Sequence, residues 1–64
     1  MNQKAFEEII LFAIRKEVEA ATLYGTYANL ASTEGDRQMF KDLQVEEQKH
    51  KKILENLKIT VFGV

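Results

Sequence analysis

Along the first half of the chain, Phe6, Ile10, Ala13, Glu17, Ala20, Tyr24, Tyr27 and Ala31 follow one another at steps of four and three. That alternation is the seam of an amphipathic helix packed into a bundle, and a single carboxylate interrupts it. Flanking apolar residues, Ile9, Leu23 and Leu30 on one side and Ile14, Ala21 and Ala28 on the other, widen the face, with Leu11 and Val18 beyond. A face so wide implies contact with more than one neighbouring helix. Gly25 lies on its outer part, where it lowers helix propensity but permits close approach of another backbone. Asn2 suits the N-cap.

The second half repeats the pattern. Phe40, Leu43, Glu47, His50, Leu54 and Leu57 are spaced three, four, three, four, three. Four are large and apolar, and a carboxylate and an imidazole occupy the middle positions. Between the two halves lies Ser32-Thr33-Glu34-Gly35-Asp36. Gly35 suits a left-handed position at the end of the first helix, and Asp36 the N-cap of the second. The expectation is an all-α antiparallel hairpin: a helix over about 3–32, a turn at 33–36 and a helix over about 37–58. An apolar tail at 59–64 reads either as a packed extension or as the start of a longer segment. So short a connection makes the helices neighbours.

Composition narrows the chemistry. At 64 residues the chain is near the lower limit for a self-sufficient core, and it has no cysteine or proline. Disulfides and thiolate metal centres are therefore excluded within these residues. A net charge of −1 with interspersed signs gives no nucleic-acid footprint. The longest apolar run, Ile9 to Ile14, is too short to span a bilayer and lacks the arrangement of a cleavable signal. A soluble, cytoplasmic protein is the default expectation, with no membrane or nucleic-acid partner.

The polar breaks in the two seams meet. With the turn centred near residue 34, Glu17 lies roughly 25 Å away along the first helix at ~1.5 Å per residue, and Glu47 and His50 reach nearly the same height on the second. Removing such groups from water costs several kcal/mol unless a counter-charge is supplied, and neither seam carries Lys or Arg. A divalent metal supplies that charge, and carboxylate with imidazole suits iron, manganese or zinc. One hairpin cannot enclose the site. A two-fold dimer would form a four-helix bundle and present Glu17, Glu47 and His50 twice, the inventory of a dinuclear carboxylate centre.

On these residues the chain resembles the rubrerythrins, ferritin-like di-iron proteins. Glu17 to Tyr24 is similar to the Glu-x6-Tyr pattern of the rubrerythrin first helix. Phe40 to His50 is similar to the second helix, which ends in Glu-x-x-His. The resemblance spans residues 5–58, half of a ferritin-like domain, so a second chain must complete the bundle. It implies Glu17 as a terminal ligand, Glu47 as a bridging ligand and His50 as the nitrogen ligand. It also implies two iron ions per dimer and redox chemistry with hydrogen peroxide or dioxygen. Re-reduction by an external electron donor would make the protein a peroxidase, and release of oxidised iron a ferroxidase or storage component.

Bland readings stand beside these. Glu-x-x-His alone is a weak signal, and one seam carboxylate can be a register device. A non-catalytic helical interaction module accounts for either alone, but coincidence at one height with ligand-type residues only is harder to obtain by accident. Glu19 and Glu46 adjoin the ligands but point off the seams, and read either as surface groups or as groups that support a ligand. For Tyr24 and Tyr27 two readings remain open: core rings, or hydroxyls that donate to a ligand carboxylate.

Overall fold

A computed structural model describes residues 2–63. Two α-helices, α1 (Gln3–Leu30) and α2 (Glu34–Phe62), pack against each other along their length. Together they form a rod of 47 × 16 × 15 Å. The Phe6 and Phe62 rings meet edge to face at 5.6 Å, so the free ends lie side by side and the pair is antiparallel.

The ends follow from local chemistry. Asn2 caps α1: its Oδ1 accepts from the Ala5 N–H at 2.7 Å. The helix stops at Leu30 because Ala31 turns to an extended conformation (φ −64°, ψ 136°). The cap of α2 is Thr33 rather than Asp36, and its Oγ1 accepts from the Asp36 N–H at 3.1 Å. Capping from Thr33 places Glu34 and Asp36 in the first turn, where carboxylates complement the helix dipole. Gly35 therefore belongs to that turn and takes no left-handed conformation. Among the described residues the positive φ falls at Gly63 (75°), which closes α2 with its N–H on the Ile59 carbonyl at 2.8 Å.

Residues 59–62 are thus helical, four beyond the expected end. β-branched residues lower helix propensity only slightly, and the Phe6–Phe62 contact holds the last turn in place. Through Phe62 the tail is helical and packed; Val64, the last residue of the expected tail, lies outside the described residues.

Two helices bury little. Ile10, Ala21 and Ala28 are buried, while Ile9, Leu23, Tyr27 and Leu30 on α1 and Met39, Leu43, Ile53 and Leu57 on α2 remain exposed. At ~100° per residue, Ile9, Ala13, Ala20 and Tyr27 share one side of the hairpin with Leu43, His50 and Leu57. That side is an apolar face, and its middle is polar.

Candidate metal centre

Both helices deliver their seam interruptions to one point. Glu17 from α1 and Glu47 and His50 from α2 each offer a ligand atom, all lying within 4.8 Å of one another. His50 Nδ1 stands 3.6 Å from Glu17 Oε2 and 3.8 Å from Glu47 Oε2. The carboxylates are mostly covered, with 22% and 20% of their side chains exposed, whereas the imidazole is 52% exposed on the open apolar face.

These separations exceed a hydrogen bond. They fit donors that share an ion: two ligand atoms about 2.1 Å from one cation are roughly 3 to 4.2 Å apart, depending on the angle between them. Glu17 Oε2 is buried and has no hydrogen-bond partner among the described residues. An orphaned carboxylate oxygen is costly, and a cation between the three groups would satisfy it. The donor set therefore fits a metal.

The electrostatics agree. The adjoining Glu47 carboxyl raises the pKa of Glu17 from its ordinary value. Desolvation and the charge of Glu47 push the same way, and His50 opposes them. Without a counter-charge, Glu17 resists ionisation.

Neighbouring acids take no part. Glu19 pairs with Lys16 and Glu46 with Lys49, each at 3.2 Å on exposed surface. Tyr24 and Tyr27 pack on Phe40, with ring centroids 6.5 and 5.4 Å away. Among the described residues neither hydroxyl is hydrogen-bonded to a site group, and within one hairpin Tyr24 is half-buried while Tyr27 remains exposed.

Gln44 was not legible as a site neighbour. Its Nε2 donates to the Ala21 carbonyl at 3.0 Å, linking the helices one turn from the ligands. Gly25 gave the signal, but the group it admits is this side-chain amide rather than a backbone: a Cβ there would lie 2.7 Å from Gln44 Nε2.

The chain matches no family model, no curated protein and no solved structure. The functional reading rests on the site itself.

Proposed function

We propose that the chain is a di-iron carboxylate redox protein of rubrerythrin type, reacting with hydrogen peroxide or dioxygen at a site completed by a second copy. The observation that carries this reading is the buried, unpartnered Glu17 Oε2, held beside Glu47 and His50. Glu17 and Glu47 supply negative charge to two cations, and His50 supplies a neutral nitrogen. One hairpin offers two carboxylates and one imidazole, too few for a dinuclear centre; two copies offer the full set.

The open face supports the pairing. Glu17 lies near the midpoint of α1 (Gln3–Leu30) and Glu47 near that of α2 (Glu34–Phe62). A two-fold axis across the helices at that level superposes the two ligand sets and lets the hairpins overlap along their whole length. It also covers Ile9, Tyr27, Leu43 and Leu57, which a single hairpin leaves in water.

Bound iron supplies the electrons for reducing the oxidant. The protein holds the ligands, and Ala13, Ala20, Leu43 and Leu54 around them limit water. The small alanines leave room for a diatomic molecule or peroxide. These 64 residues hold no cysteine for an electron-transfer centre, so reducing equivalents come from outside them.

The test is metal content per chain after anaerobic Fe(II) loading, measured beside Glu47→Ala and together with solution mass. One iron per chain in a dimer or larger assembly, lost in the variant, is expected, followed by peroxide consumption with an added reductant. No bound metal in the parent overturns the proposal and leaves a helical interaction module. Retention of many irons per dimer without turnover indicates an iron-handling component instead.

A further inference from the structure

Every side-chain hydrogen bond among the described residues but one joins positions three or four apart on a single helix or at its cap. The exception is Gln44 Nε2 to the Ala21 carbonyl, 3.0 Å and partly buried. Apart from the Glu17, Glu47 and His50 group itself, the contacts that join the helices are apolar ring and aliphatic packing, and apolar contact, being non-directional, fixes slide and roll less sharply than a hydrogen bond does. The turn fixes one end, roughly 25 Å from the ligand level at ~1.5 Å per residue. A directional contact nearer the ligands is what sets their relative position.

The Gln44–Ala21 bond has that place. Ala21 follows Glu17 by one turn on α1, and Gln44 precedes Glu47 by three residues on α2, so the bond joins the layer next to the ligands. Gly25 leaves open the space the amide uses. The Ala21 carbonyl is the helical partner of the Gly25 N–H, and a side chain at 25 would occupy the space of the amide, its Cβ 2.7 Å from Nε2. Glycine inside a helix is otherwise unfavourable, by about 0.5–1 kcal/mol against alanine.

We propose that Gln44, admitted by Gly25, is a positioning residue for the Glu17–Glu47–His50 site, locking the two helices in the register that brings their ligand atoms together. The proposal rests on the metal-binding reading given above. It assigns Gln44 no contact with metal or oxidant.

The experiment titrates Co(II) into the metal-free full chain, following its d–d absorption against a competing chelator. The parent, Gly25→Ala, Gln44→Leu and the double variant are compared. The lock predicts a dissociation constant about fivefold to tenfold higher in each single variant, the scale of one hydrogen bond. It predicts little further loss in the double variant, because both changes remove one contact. Gly25→Ala should not lower the melting temperature of the metal-free protein, since the helix gains propensity. A purely structural glutamine would move stability and leave Co(II) affinity within twofold of the parent, which overturns the proposal.

A metal-free readout separates this proposal from the function. In the parent, nuclear Overhauser contacts between the His50 ring and the Glu17 side chain are expected, and in Gln44→Leu they should be lost. Contacts retained in both overturn the lock. If the parent takes up no Co(II), the metal reading fails while these contacts still decide the register proposal.

Discussion

His50, on α2, holds its Nδ1 3.6 Å from Oε2 of Glu17 on α1. The pair is too far apart to hydrogen-bond and too covered on the carboxylate side for water to compensate, since that oxygen is buried and unpartnered. A ligand that binds between them stabilises the folded state alone. With free metal at 100 times the dissociation constant, the stabilisation is about 2.7 kcal/mol. In a domain of this size it corresponds to a rise of about 10 °C or more in melting temperature. Calorimetry of Fe(II)-loaded protein before and after chelation, at fixed protein concentration, should show that drop. Identical midpoints would remove the metal from the account.

Replacing the seam interruptions by the residue the pattern asks for has a two-sided outcome. Glu47→Leu removes the like charge beside Glu17, so its metal-free melting temperature should rise by several degrees, whereas His50→Leu removes the group that favours ionised Glu17 and should gain less. Both variants should lose the response to metal. Thermal melts with and without Fe(II) check this. A variant that still responds as the parent does would exclude its residue from the ligand set.

The hairpin and the meeting of Glu17, Glu47 and His50 were legible because they depend on spacing alone. Two seams of the same period joined by a short turn place equal distances at equal heights, and the three residues lie within 4.8 Å of one another. Asn2 was legible as a cap for a similar reason, its contact reaching only to Ala5. What competes locally was not legible. Thr33, Gly35 and Asp36 all carry end signals, and the hydroxyl of Thr33 captures the start of α2 because the acids gain from the first turn. The helical state of residues 59–62 depends on Phe6, more than fifty positions away in the sequence. The partner of Gly25 depends likewise on which side chain of α2 arrives opposite it. Periodicity shows that a face is apolar without showing what covers it.

Glu17 gives the metal-free protein a distinctive pH dependence. Its folded pKa is raised, first by the Glu47 carboxyl and then by desolvation. The folded state therefore favours the protonated form more than the unfolded state does. This contribution is fully present below the ordinary carboxylate range and is lost as pH rises through the raised value. Metal binding requires ionised ligands, so loaded protein should gain stability over the same window. Urea midpoints measured from pH 4 upward, with and without Co(II), should carry opposite slopes from this group. Glu17→Gln should flatten the metal-free slope. An unchanged slope in that variant would assign the effect to other acids.

If two copies pair as proposed, the central position of the site along both helices selects the arrangement. If the dimer axis runs across the helices at the level of Glu17 and Glu47, each turn lies beside the free helix ends of the other copy. If it runs along the helices, the two turns sit together. Both arrangements form four-helix bundles, but only the first requires the ligands to lie near mid-length, as they do. A spin label at Ser32→Cys, an exposed position in the connection, distinguishes them. Across a rod 47 Å long, interchain label distances on the order of 40 Å are expected, from ~1.5 Å of rise per helical residue. A distance near 20 Å would place the turns together, and the mid-length position of the ligands would then have no part in assembly.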